Sequence, residues 1–222
     1  MQQVGLKPSF FTFGSILKTC GGGGIQERGK LVHAHIIKTG FESDVYVGFE
    51  IVDMYAECEG IEDALVVFYK MPERNVATYD LMITGVFQTT DVELSQKCGK
   101  EALNMFIQLQ QIGMKPNHLT FLGILGVCSS LEFLEHGKQV HNHVIKGKLE
   151  LNEFLGSALE QGGKIHAHSI KIGYALLVVV VNALIDMYGK CGSIDDVGTL
   201  FGRMLKRDVV SWSVLISGYA QY

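Results

Sequence analysis

The chain has 222 residues, of which 47% are hydrophobic and only 3 are Pro, so it has enough apolar material for a core and is not a disordered or collagen-like sequence. Its formal net charge of −4 weighs against a strongly basic nucleic-acid binder, although local patches matter more than sums. Five Cys without a close pair fit a reducing compartment better than a disulfide framework.

No targeting peptide is read at the start, because Met1-Gln2-Gln3-Val4 runs into patterned sequence without a basic or Ser-rich flank. The first predicted helix carries Phe13, Ile16, Leu17 and Cys20 at i, i+3, i+4 and i+7, and the run Gly21 to Gly24 stops it. Ile61, Ala64, Leu65, Phe68 and Met71 make another apolar stripe behind Glu59-Gly60. Further breakers stand at Gly113 with Pro116 and at Gly192-Ser193. Val178 to Val181 is strand-like by β-branching. It aligns, however, with Val45 to Gly48 at a helix start, so a helix with a frayed start is predicted, with a one-turn extended entry left open. The greasiest run, Ala175 to Val181, is too short to cross a bilayer, so the chain is read as soluble, with no membrane partner.

The chain also repeats itself. Lys7-Pro8, Phe13, Ile16, Leu17, Cys20 and His33-Ala34-His35 return 108 residues later as Lys115-Pro116, Phe121, Ile124, Leu125, Cys128 and His141-Asn142-His143. Asp53-Met54-Tyr55, Ile61, Phe68, Met71 and Arg74 return after 133 residues as Asp186-Met187-Tyr188, Ile194, Phe201, Met204 and Arg207. Self-similarity of this kind marks a repeat array. Helices of about a dozen residues need a neighbour to bury their apolar faces. The predicted fold is therefore all-α: helical hairpins stacked into an α-α solenoid, with function spread along a surface.

Several phrases resemble pentatricopeptide repeats of the plant type that alternates three motif lengths. Val52-Asp53-Met54-Tyr55-Ala56, Ile61-Glu62-Asp63-Ala64, Met71-Pro72-Glu73-Arg74-Asn75 and the stretch from Gly29 through Gly40 carry the resemblance, as does Val209 through Gln221. It implies a right-handed superhelix and covers the whole chain, 1–222, as one array. Residues 1–9 read as a repeat tail, 10–44 as a long motif, 45–75 as a short one, and 76–117 as an ordinary one with an insertion around Thr89 to Lys97. A second long motif follows at 118–152, a hybrid at 153–177, a short motif at 178–208 and a truncated repeat at 209–222. His141 and His166 stand closer than one full triplet would place them, which locates a deletion of about 76 residues, or a gene-model error, at Leu159-Glu160.

The His pairs at 33/35, 141/143 and 166/168 read as packing residues rather than zinc ligands, since i and i+2 on a helix point in different directions. Cys20, Cys128, Cys58 and Cys191 read as small core hydrophobes, and Cys98, within the insertion, as a candidate exposed thiol. Met54, Met71, Met187 and Met204 read as gap-filling core. Gly24 to Lys30 matches seven positions of a phosphate-binding loop, but Leu31 stands where a hydroxyl is needed, which marks a chance match. Relatives of the resembled type often carry a cytidine deaminase, whose HxE and PCxxC segments are not found in these residues. No catalytic constellation, cofactor, metal site or small-molecule substrate is predicted, and the chain is not read as an enzyme.

The resemblance implies binding of single-stranded RNA, one base per repeat, in organellar RNA editing or processing, with editing or processing proteins as possible partners and a mitochondrial or plastid location. In that family the fifth and last residues of a motif discriminate the base. Carried over, the pairs are Gly14 with Asp44, Phe49 with Asn75, Asp80 with Asn117, Leu122 with Asn152, and Asn182 with Asp208; Ser213 is the first half of a sixth. Asn182 with Asp208 is the combination that implies uracil. Phe49 offers at most stacking, and Gly14 and Leu122 offer little. Two alternatives stay open at this stage: a protein-binding scaffold like tetratricopeptide repeats, which share the Ala64, Phe68, Pro72 phrase, and a non-functional remnant of a longer array.

Overall fold

The computed structural model describes residues 8–23, 25–58, 60–88, 92–145 and 164–221. All regular structure among them is helical: α1 (Phe10–Gly22), α2 (Gln26–Thr39), α3 (Val45–Glu57), α4 (Ile61–Lys70), α5 (Val76–Gln88), α6 (Val92–Gln111), α7 (His118–Ser130), α8 (134–145), α9 (Lys164–Lys190), α10 (Ile194–Arg203) and α11 (Val209–Ala220). The chain divides into two units, Met1–Lys115 and Pro116–Tyr222.

Polar side chains decide where the helices begin. Ser9 accepts from the Thr12 amide ahead of α1, Asp44 from the Val47 amide ahead of α3, and Asn75 from the Thr78 amide ahead of α5. Asn117 and Asp208 close reciprocal capping boxes with Thr120 and Ser211 at the starts of α7 and α11. Gly40 ends α2 in the left-handed region at φ 77°, which a residue without Cβ adopts without strain.

In the first unit α1, α3 and α5 lie side by side; α2 packs on α1 and α3, α4 on α3 and α5, and α6 on α5. This is the stacked-hairpin arrangement of an α-α solenoid. Leu17, Ile36, Ile51, Met54, Phe68, Met82 and Ile83 are fully buried between these helices; burying such side chains contributes roughly 1.5–3 kcal/mol each. The second unit repeats the plan, with α7, α9 and α11 side by side and α10 packed on α9 and α11. Its core holds Ile124, Leu125, Leu184, Ile185 and Met187.

The internal repeats of the sequence return as repeated contacts. Met54 lies on Gly29, and Met187 lies on Gly137 in the same way. One turn beyond each glycine and one residue beyond each methionine, the His33 Nδ1 and Tyr55 hydroxyl are 3.1 Å apart and the His141 Nδ1 and Tyr188 hydroxyl 3.0 Å apart. The first histidine of each of these two pairs is thus a strut between a second helix and the next first helix. Arg74 stands over the Phe68 ring at 5.1 Å and Arg207 over Phe201 at 4.8 Å. The buried Met54, Met71, Met187 and Met204, and the buried Cys20 and Cys128, fit their core reading, while Cys58 and Cys191 are half-buried. The side chains of His166 and His168 lie outside the described residues.

Two expectations are corrected. Cys98 is 1% exposed rather than an exposed thiol. Residues 92–97 of the insertion belong to α6, which runs for 20 residues. Cys98 then falls on the same helical face as Ala102, Met105 and Leu109, and burial pushes its thiol up. The second correction concerns the frayed start at Val178. These residues are helical, but they lie inside a 27-residue helix that starts at Lys164. The reason is legible at the matching positions. Where Glu42, Ser43 and Asp44 turn the chain and cap α3, the second copy has Ala175, Leu176 and Leu177, which neither turn nor cap it.

A Cβ placed on Gly189 of α9 would stand 3.0 Å from the Gly218 backbone of α11, where neither helix can yield cheaply. Gly189→Val is therefore expected to destabilise the second unit by about 1–3 kcal/mol. Denaturation followed by Trp212, the chain's single Trp, whose ring packs 4.8 Å from Phe201, measures this directly. The same signal tests the strut. Burial holds the His141 pKa below its ordinary value, so the unfolded chain takes up the proton first as pH falls. Stability in the second unit should be present above about pH 6.5 and decline below it, and His141→Leu should flatten that slope.

Candidate nucleic-acid interface

The first helices of successive hairpins form one continuous row within each unit, and the fifth residue of each motif lies on that row. The last residue of a motif stands at the entry to the next first helix. Four of the candidate residues therefore prove to be N-caps as well: Asp44, Asn75, Asn117 and Asp208. Sequence reading assigned them to base recognition and missed this second role. The signal was available, because Thr78, Thr120 and Ser211 stand three residues after Asn75, Asn117 and Asp208, the spacing of a hydroxyl that returns the cap.

In the second unit Asn182 and Asp208 come together. Asn182 is 5% exposed, and its Nδ2 donates a long hydrogen bond of 3.4 Å to Asp208 Oδ1. The same Asp208 oxygen accepts from the Ser211 amide and the Ser211 hydroxyl, each at 2.8 Å. Those Ser211 bonds, with a smaller contribution from Asn182, hold the Asp208 carboxyl below the usual carboxylate range. Asp208 is thus an anion and a pure acceptor at neutral pH, which obliges the Asn182 amide to turn its NH2 group toward it. The Asn182 Oδ1 is left buried without a hydrogen-bond partner. An orphaned carbonyl of this kind costs about 1–3 kcal/mol unless something donates to it.

The other pairs differ. Gly14 is buried under the Tyr46 ring, which stands 2.8 Å from where a Cβ would be, so the fifth position of this motif is closed by an aromatic side chain. Phe49 is half-buried, and the Asn75 Oδ1 is turned to the Thr78 amide and hydroxyl, both at 3.0 Å. Asp80 is buried in the first unit, whereas Asn117 belongs to the second and accepts from the Leu119 and Thr120 amides at 2.7 and 3.2 Å. Leu122 is half-buried, and Asn152 lies outside the described residues. Ser213 is exposed and donates to the Val209 carbonyl at 2.9 Å. Among the described residues no group of three or more His, Cys, Asp or Glu could hold a metal ion, and no helix is long and apolar enough to cross a membrane.

The family model described as PPR repeat matches residues 179–209, the segment that holds Asn182 and Asp208. A pentatricopeptide repeat-containing protein of Arabidopsis thaliana is 35% identical over 98% of this chain and 26% of its own length. A second from the same plant, named mitochondrial, is 32% identical over all of this chain and 30% of its own. A third, named chloroplastic, is 32% identical over 97% of this chain and 21% of its own. The chain spans about a quarter of the length of the curated relatives it matches. The crystal structure of the pentatricopeptide repeat protein PPR10 in complex with an 18-nt psaJ RNA element aligns over all of this chain and 34% of that one, with 11% identity and a TM-score of 0.47. With its hairpins stacked in each unit, its 179–209 match and relatives alike along nearly its whole length, the chain belongs to the pentatricopeptide repeat family.

Proposed function

We propose that this chain is a single-stranded RNA-binding scaffold in which Asn182 and Asp208 read one base, and that the base is uracil. One observation carries the reading: the Asn182 amide is fixed by Asp208 at one end and bears an unpartnered, buried acceptor at the other. A uracil N3–H donates to such an acceptor once the side chains covering it part, whereas cytosine presents an acceptor at N3 and can donate only through N4. Helical repeats that take one base each provide the frame for such a slot.

In this reading the chain supplies binding rather than chemistry, and editing or processing proteins act on the RNA it holds. The relatives named mitochondrial and chloroplastic support work in one of those organelles.

The other slots are expected to contribute little selectivity, so affinity should be modest and sensitive to salt. Filter binding at low salt should show uridine oligonucleotides retained over cytidine oligonucleotides. Asn182→Ala should reduce that preference by about five- to tenfold, the equivalent of one lost hydrogen bond of about 1 kcal/mol. Asp208→Asn, which keeps an acceptor for the cap, should affect selectivity more than stability. Equal retention of both oligonucleotides by the native chain, or no retention of either, would overturn the assignment.

A further inference from the structure

We propose that the seam between α1 and α3 is a docking site for an arginine-bearing segment of a partner protein. Tyr46, Glu50, Asp53 and Glu57 stand at i, i+4, i+7 and i+11 on α3, one straight stripe. The stripe facing it on α1 is Gly14, Lys18 and Gly21; Tyr46 lies over the first glycine and Glu57 over the second.

The Lys18 ammonium therefore pairs with Glu50 and acts at longer range on Asp53, while Glu57 adds a third carboxylate to the stripe. Glu50 is only 2% exposed; its Oε1 is 3.2 Å from the Lys18 Nζ, and its Oε2 is buried and accepts from nothing. Burial, then the charges of Glu57 and Glu50, push the Asp53 carboxyl up to about 6, against which Lys18 acts only in part. The second unit shows how the same position is balanced when the chain does it alone. Asp186, the counterpart of Asp53, accepts from the Ser129 hydroxyl at 2.9 Å and pairs with Lys190 at 3.0 Å. Ser129 stands where the first unit has Gly21, Lys190 where it has Glu57, and Ala183 where it has Glu50. The first unit lacks those internal partners, so its seam is left to be balanced from outside.

The other end of the stripe identifies the cation. The Phe10, Phe11 and Tyr46 rings are all exposed, with Phe10 centred 4.1 Å from Phe11 and 5.9 Å from Tyr46. Guanidinium groups stack on aromatic faces and bridge carboxylate oxygens with a planar fork, which an ammonium does not. The bases of a nucleic acid would stack on the rings, but its phosphates are repelled by the carboxylates. From Tyr46 to Glu57 the stripe runs about 16 Å, the reach of about five extended residues. Lys18 is exposed but Glu50 is buried, so that pair stays in place and an arriving guanidinium pairs with the half-buried Asp53 and the exposed Glu57. This inference is independent of the uracil slot, which lies in the other unit.

The test uses the full chain and a fluorescent ten-residue Gly-Ser peptide with two arginines five positions apart, its lysine twin, and a 15-nt oligouridine. Fluorescence anisotropy should show the arginine peptide bound at least threefold tighter than the lysine twin. Asp53→Asn with Glu57→Gln should weaken it at least tenfold, and Tyr46→Ala should remove the preference for arginine. Asp186→Asn should leave peptide binding unchanged, and oligouridine binding should survive the Asp53 and Glu57 changes. Equal binding of the two peptides, equal weakening by Asp186→Asn, or loss of oligouridine binding on changing the seam would each overturn the proposal, the last by showing that the seam belongs to the RNA.

Discussion

A helix of 10 to 14 residues does not hold itself together in water, and α1 to α5, α7, α10 and α11 are all of that length. Each exists because a neighbour covers its apolar face. This requirement fixes the close contacts first. Glycines stand wherever a long side chain or another backbone must lie flat on a helix, as with Gly29 under Met54, Gly137 under Met187 and Gly189 against Gly218. What remains exposed on the row of first helices is free to vary, and that freedom is where recognition can be built.

The same requirement explains why reading residues and capping residues coincide. A short helix loses a large share of its backbone bonding at its ends, so each hairpin gains from a polar cap at the entry to the next first helix. In the second unit that cap, Asp208, stands beside Asn182, the fifth residue of the preceding motif. In Asn182 and Asp208 one carboxylate serves both needs: it caps α11 through Ser211 and orients the Asn182 amide. Where the fifth residue has no polar group, as at Gly14 and Phe49, Asp44 and Asn75 cap their helices without an amide to orient. Loss of recognition at a repeat therefore need not cost the fold anything.

The hairpins were legible in the sequence because their apolar stripes and breakers are local. The offsets of 108 and 133 went further: residues they relate meet equivalent partners, and the His33–Tyr55 and His141–Tyr188 struts agree to 0.1 Å. The pairing of Asn182 with Asp208 was also legible, through motif positions. Cys98 was not, because whether inserted residues form a loop or lengthen a helix depends on the face they present to a core that the local pattern does not show. Nor was the length of α9, although Leu177 in the place of Asp44 was visible as a missing cap. The closure of Gly14 by Tyr46 was hidden for another reason: it depends on a side chain from a different helix.

The two units amount to an internal comparison, and the pattern of their differences separates packing from surface chemistry. The Gly–Met, His–Tyr and Arg–Phe contacts are the same in both. Phe49 against Asn182 and Glu57 against Lys190 differ in polarity or in charge sign. A stripe that changes from Glu50, Asp53, Glu57 to Ala183, Asp186, Lys190 changes from net anionic to balanced without moving a core residue. Two surfaces of different electrostatic character can thus sit on the same hairpin plan. A strand of phosphates and a cationic segment then need not compete for one site, because the anionic stripe repels the phosphates and the balanced stripe offers the cation no surplus charge.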